Sequence, residues 1–268
     1  MNKLSNAAGD CVEIRADGAH ITSWRTADGI ERLFLSQRAE FRPGVAIRGG
    51  VPIIFPQFAG LGPLPKHGFA RTAQWQRVSM SKESTDSAVF RFQDSEATRA
   101  IWPQQFVAEY AVALGKDALS MTLTIRNTGK QRWSFTAALH TYLRVHDVVQ
   151  VSVGGLENLR YSDSAAGGTM VAGAARAVSI VEEVDRIYFS TTQPITVSEP
   201  GQRTLLCTAN GFADTVIWNP GAEKGAALAD LEADGYRRML CVEAAAIAEP
   251  IVLQPGATWS GTQHLALA

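Results

Sequence analysis

Two acid/base side chains stand in company that could do chemistry. Glu243 interrupts the run MLCVEAAAIA (239–248), where its neighbours on both sides are apolar. Glu is rarely buried without a partner, and burial disfavours its ionised form unless donors or a cation compensate. A carboxyl group in that setting is tuned towards general-base use; the ordinary alternatives are an edge-strand Glu facing water or one paired with an arginine. His140 lies in SFTAALHTYLRV (134–145). As a strand, the segment puts Trp133, Phe135, Ala137, Leu139, Thr141, Leu143 and Val145 on one face, and Ser134, Thr136, Ala138, His140, Tyr142 and Arg144 on the other. His140 thus points away from the large apolar face, among small and polar neighbours. There an imidazole can give or take a proton near neutral pH, unless it is simply an exposed or hydrogen-bonded strand histidine.

A second kind of chemistry is suggested by RGGVPIIFPQFAGLGPLPKHGFAR, residues 48–71, which places Arg48, Lys66, His67 and Arg71 in a stretch crowded with glycine and four prolines. Proline lacks the ladder donor and glycine weakens helices and strands alike, so this is a shaped loop system whose turns hold cations in place. Guanidinium forks at both ends suit a carboxylate or phosphate. His67 is a candidate hydrogen-bond donor to a ligand, or a histidine that caps its own turn. Asp185 opens a strand in EEVDRIYF, and Trp218, before the turn NPG, could stack on a sugar ring or fill core. Trp24 and Trp75 are read as packing residues. No histidine pair has metal-ligand spacing, the near pair His140 and His146 being unconvincing. No GxGxxG, Walker-type loop or GxSxG occurs, which disfavours dinucleotide, P-loop and serine-hydrolase chemistry.

The elements that must position these groups are strands. Period-two runs occupy Ser87–Gln93, Phe106–Leu114, Leu119–Arg126, Trp133–Val145, Val148–Val153, Ile187–Phe189, Arg203–Cys207 and Thr215–Trp218. LGKDAL (114–119) and RNTGKQR (126–132) look like hairpin connections. Ser95–Gln104 and Ala226–Leu231 each have room for one short helical turn, and Ala165–Ala177 is expected to be a loop. Many short strands and little helix predict an all-β sandwich or barrel, with residues 1–268 as one domain.

Composition narrows the partners. Of 268 residues, 25 are basic and 26 acidic, so no global field draws in nucleic acid or a membrane surface. Cys11, Cys207 and Cys241 are odd in number and far apart, which disfavours a disulfide framework and favours a reducing compartment. Residues 1–10 lack a signal-peptide core and no apolar run approaches a membrane span. The expectation is a cytoplasmic monomer.

The motifs RGG…P…FPQF, LPKHGFAR, ALHTYLRV, VDRIY, VIWNP and CVEAA stand in the order seen in the hexose-6-phosphate mutarotases. Over about residues 45 to 250 the chain resembles these glucose-6-phosphate 1-epimerases of the aldose 1-epimerase superfamily. The resemblance implies a galactose-mutarotase-like β-supersandwich with a sugar cleft on one sheet. It implies interconversion of the α and β anomers of an aldohexose 6-phosphate, a small sugar phosphate, without cofactor or metal. It makes His140 and Glu243 the catalytic residues, Arg48 and Arg71 the substrate-binding arginines, and Asp185 the sugar-binding aspartate. One position departs: the family usually reads LPQHGFAR, with a substrate-contacting Gln, where this chain has Lys66. An added cation there could strengthen phosphate binding or change the preferred hexose. The alternatives are an aldose 1-epimerase for unphosphorylated sugars and a non-catalytic carbohydrate-binding sandwich. The first gains little from two desolvated guanidiniums, and the second needs no acid/base pair.

Overall fold

The computed structural model describes residues 1–78 and 84–268. Its two large sheets are antiparallel throughout their described pairings, with eight and nine strands, and a three-stranded meander (Asn2–Ser5, Cys11–Ile14, Ile21–Arg25) packs beside them. Alternation explains the layering. In the hairpin of Phe106–Gly115 and Ala118–Asn127, Phe106, Ala108, Tyr110, Val112 and Leu114 are buried on one strand, and Leu119, Met121, Leu123 and Ile125 on the other. These side chains meet Trp133, Phe135, Ala137 and Leu139 from the other large sheet in one continuous core. The sandwich predicted from period-two patterning is therefore the architecture observed. Trp24 and Trp75 are core residues, as expected.

The eight-stranded sheet carries the site. Its order runs Thr169–Val171, Tyr161–Asp163, Val184–Tyr188, Asp214–Asn219, Met239–Leu253, Trp133–Leu139, Ile53–Ile54, with Tyr142–Arg144 also on the Met239–Leu253 strand. Glu243 thus sits on a central strand, not an edge. Several local expectations shift. The Trp133–Val145 run breaks at His140 and Thr141, because Thr141 N turns back to Leu139 O at 2.9 Å. Val148–Gln150 is a 3-10 turn capped by Asp147, and the strand begins at Ser152. Residues 165–177 are not all loop: Thr169–Val171 forms a hairpin with Tyr161–Asp163 across a turn in which Gly167 and Gly168 take positive φ. The second short helix spans Gly221–Ala227 instead of 226–231. Pro220 begins it and the Asn219 side chain accepts from Gly221 N at 2.9 Å, so the helix starts where its first donors are satisfied.

Candidate active site

Register brings the two acid/base residues together. Leu139 pairs with Ala244 and Tyr142 with Cys241, so the same register sets His140 opposite Glu243 and Thr141 opposite Val242. On the next strand Val216 lies opposite Glu243 and Trp218 opposite Cys241, and beyond it Asp185 lies opposite Trp218. Alternation sends His140, Tyr142, Cys241, Glu243, Trp218 and Asp185 to one face, away from the core between the sheets. His140 Nδ1 stands 3.3 Å from Glu243 Oε1. The imidazole stacks on Tyr142, with ring centres 4.8 Å apart, and meets Trp218 and His67 edge-on at 5.9 and 5.7 Å. The face assignment for His140 holds, but its neighbours are aromatic more than small and polar.

The break at His140 is held from behind. His140 N donates to Pro52 O and Tyr142 N to Gly50 O, so the loop beginning at Arg48 replaces the missing ladder partners. Thr141 Oγ1 donates to Gln263 Oε1 at 2.6 Å, while Gln263 Nε2 donates to Val242 O at 2.9 Å. Gln263 belongs to the Thr258–Leu267 strand of the other sheet and is 2% exposed. One buried amide therefore fixes the residues adjoining both His140 and Glu243.

The loop system is equally constrained. Buried Gln57 donates to Ala59 O and Leu64 O and accepts from Leu64 N, stapling residues 57–64. His67 Nδ1 accepts from Ala59 N at 3.3 Å, which places the imidazole proton on Nε2. Gly68 takes φ +66, and a Cβ there would come within 2.1 Å of Phe55 O. The turn after His67 can close only on a glycine.

All seven residues singled out in the sequence (Arg48, Lys66, His67, Arg71, His140, Asp185 and Glu243) line one cleft of about 610 Å³. That size suits a small ligand. His146, by contrast, pairs with Glu199 on the surface, away from this cleft. The two arginines differ. Arg48 Nε meets Asp230 at 3.2 Å, its Nη1 donates to Tyr142 Oη at 3.0 Å, and its guanidinium lies 5.8 Å from the Trp218 ring centre. Arg71 donates to Lys66 O at 3.2 Å, and among the described residues it forms no ion pair with a carboxylate. Burial pulls its pKa down, and the charge of Arg48 adds to that, so its cation is costly without an anion. Lys66 is exposed at the rim. Sequence reading missed Tyr142 and Lys224 as cleft residues, and Asp230 as the partner of Arg48. For Tyr142 the signal was present, two positions from His140 on the same face; nothing in ADLEADG marks Asp230.

Burial sets the protonation of the pair. Desolvation, then the charges of His67, Arg71 and Arg48, push His140 well below 6.5. Desolvation and Asp185 push Glu243 well above the usual carboxylate range. A full ion pair would need the opposite, so we assign one shared proton, resting on Glu243. His67 is lowered to about 3, chiefly by burial and then by Arg71, and stays neutral. Burial, with Glu183 adding to it, raises Asp185. Among the described residues, one group could hold a metal ion: His140, Cys241 and Glu243, whose donor atoms lie within 4.8 Å of one another. Such an array can transfer protons to and from a polar ligand while cations hold an anionic part of it.

Known proteins share this sequence pattern and fold. The sequence profile of the aldose 1-epimerase family matches residues 1–266. A Cenchrus ciliaris protein with the provisional name glucose-6-phosphate 1-epimerase is 38% identical over 96% of this chain and 82% of its own length. An Escherichia coli K12 protein with the same provisional name is 32% identical over 87% and 78%. Among solved structures, a provisionally named mutarotase from Salmonella typhimurium superposes with a TM-score of 0.88 at 28% identity, covering 97% of this chain and 87% of that one. A galactose mutarotase related enzyme from Lactobacillus acidophilus reaches 0.79 at 14% identity, over 100% and 97%, a likeness of fold alone.

Proposed function

The chain belongs to the aldose 1-epimerase family, and on that premise we propose that it is a hexose-6-phosphate mutarotase, exchanging the α and β anomers of glucose 6-phosphate or a close relative. The observation that carries the reading is the buried His140–Glu243 pair, 3.3 Å apart, in a cleft that also holds Arg71, which has no carboxylate partner among the described residues. The provisional names of the Cenchrus and Escherichia relatives support the phosphorylated substrate.

The pair first passes its proton from Glu243 to His140; Glu243, now a carboxylate, then takes the proton of the anomeric hydroxyl while His140, as imidazolium, protonates the ring oxygen. The bond from C1 to the ring oxygen breaks and C1 becomes an aldehyde. The pair is left as protonated Glu243 and neutral His140, the tautomer its surroundings favour. After rotation about C1–C2, His140 takes the proton of the freed hydroxyl and Glu243 returns its own to the carbonyl oxygen. The ring closes on the other face and the pair is restored. One proton on two residues suffices for both directions, and each transfer contributes about 10²–10⁴-fold. Asp185 and the Nε2–H of His67 orient the sugar hydroxyls. Trp218 offers a ring face.

The phosphate lies against Arg71 and Lys66, with Arg48 joining as Asp230 yields it. The enzyme works without a cofactor, as a monomer whose residues 1–268 form one domain. Among the described residues no helix is long and apolar enough to cross a membrane. The cytoplasm is supported by the free thiols of Cys11, Cys207 and Cys241. Anomer exchange measured by saturation-transfer NMR on glucose 6-phosphate and on glucose tests the reading. Faster exchange of the phosphosugar is expected; equal kcat/KM for the two would overturn the substrate assignment.

A further inference from the structure

Three ligand-type side chains converge at the base of the cleft, which His140 and Glu243 line and beside which Cys241 is buried. Cys241 and Glu243 are two apart on one strand and so project to the same face, and His140 stands opposite Glu243 on the next. Their donor atoms, a ring nitrogen of His140, Cys241 Sγ and a Glu243 carboxylate oxygen, lie within 4.8 Å of one another. Two buried polar atoms, His140 Nδ1 and Glu243 Oε2, have no hydrogen-bond partner among the described residues. Orphaned polar atoms at that depth are uncommon and call for an explanation. The 3.3 Å between Nδ1 and Oε1 matches the roughly 3.4 Å edge that two ligands about 2.0–2.1 Å from a tetrahedral ion define. The thiol needs to close in by only about 1 Å to complete three corners of a tetrahedron.

We propose that His140, Cys241 and Glu243 form an inhibitory site for a thiophilic divalent cation of the Zn²⁺ class. The donor set chooses the ion: thiolate and imidazole suit zinc, whereas magnesium and calcium prefer oxygen alone. Charge fits as well. Binding expels the thiol proton and the proton of the His140–Glu243 pair, and thiolate, carboxylate and dication together are neutral in a buried place. Arg48 and Arg71 oppose the cation from the cleft walls, and chelation by three groups outweighs them. A bound ion withdraws both proton-transfer groups at once and stops anomer exchange. The arrest of turnover rests on the acid/base reading above; the binding does not.

Cobalt is the probe. Co²⁺ added to the wild-type protein should give a thiolate-to-cobalt charge-transfer band, and Zn²⁺ should inhibit anomer exchange. Cys241→Ser, which keeps the volume, should lose the band, keep its metal-free turnover, and need at least about tenfold more Zn²⁺ for half-inhibition. Cys241→Ala should behave alike, and circular dichroism checks that both are folded. Absence of the band in wild type, or equal zinc inhibition of wild type and Cys241→Ser, would overturn the proposal. A cobalt band with turnover unimpaired would uphold the metal site and overturn its inhibitory effect together with the acid/base assignment.

Discussion

Replacing Gln263 should slow the reaction far more than it weakens substrate binding, although Gln263 does not line the cleft. Its amide spans from Thr141 Oγ1, at 2.6 Å, to Val242 O, at 2.9 Å, and those two residues adjoin His140 and Glu243. Gln263→Leu removes both hydrogen bonds and leaves a buried hydroxyl and a carbonyl under-satisfied. At about 1–3 kcal/mol for each of the two orphaned groups, the cost to stability is roughly 2–6 kcal/mol. A typical domain of about 5–15 kcal/mol survives that loss. The catalytic effect is larger in proportion, because displacement of a reacting group by about 1 Å costs on the order of 10²-fold. Thr141→Val removes only the hydroxyl and should cost about 1–2 kcal/mol with a smaller fall in kcat, and Thr141→Ser should restore near-wild-type turnover. Saturation-transfer NMR over a range of substrate concentrations separates kcat from KM, while thermal melts report stability. Gln263→Leu should lower kcat by about 10–100-fold with KM within about threefold. A folded Gln263→Leu protein with wild-type kcat would show that the clamp supports the sheet and nothing more.

Three further outcomes follow from the site and its surroundings. Because the pair works while it carries one proton, kcat/KM should trace a bell in pH. The acid limb lies below the ordinary histidine value of 6.5, where a second proton enters, and the basic limb well above the ordinary carboxylate value of 4.5. An acid limb at or above 6.5 would contradict the assignment. Arg71→Met should raise KM for glucose 6-phosphate by about 10–100-fold, the worth of one charge-assisted contact, and leave glucose turnover unchanged; equal loss on both sugars would place Arg71 outside the phosphate site. His20 is buried, donates from Nε2 to Gly49 O at 2.8 Å, and has its pKa lowered to about 4, chiefly by desolvation. The unfolded chain takes up a proton near 6.5 that the folded one refuses, so stability is lost as pH falls, by about 2 kcal/mol from this residue between pH 7 and 5. Chemical denaturation of wild type and His20→Gln at both pH values isolates the term. An unchanged difference between the two proteins would refute it.

Much of the site was legible because strand periodicity is short and strict. Once Trp133–Leu139 is recognised, the face of His140 follows, and an acidic residue inside an apolar strand draws notice as Glu243 did. Pairing register is not local, so the sequence alone does not say that His140 meets Glu243, nor that Gln263 reaches them from the second sheet. The mixed Cys241–Glu243–His140 group escaped a search by histidine spacing for the same reason: its ligands come from two strands joined only by register. Arg48 and Arg71 were both legible as cations, but the partner that separates their roles, Asp230, stands 182 residues from Arg48 in a loop without a motif. Small elements shifted where side chains decide backbone fate. Asn219 and Pro220 start a helix five residues before alanine content suggests one, and a turn with Gly167 and Gly168 makes a hairpin out of an apparent loop.

The proposed reaction depends on the carboxyl group of Glu243 in the cleft. Glu243→Gln keeps the shape of a buried residue that already rests protonated, and thermal melting should show the fold intact. Its exchange of glucose 6-phosphate anomers, followed by saturation-transfer NMR, should fall by about 10²–10⁴-fold. Exchange at near the wild-type rate by the folded Glu243→Gln protein would contradict the account.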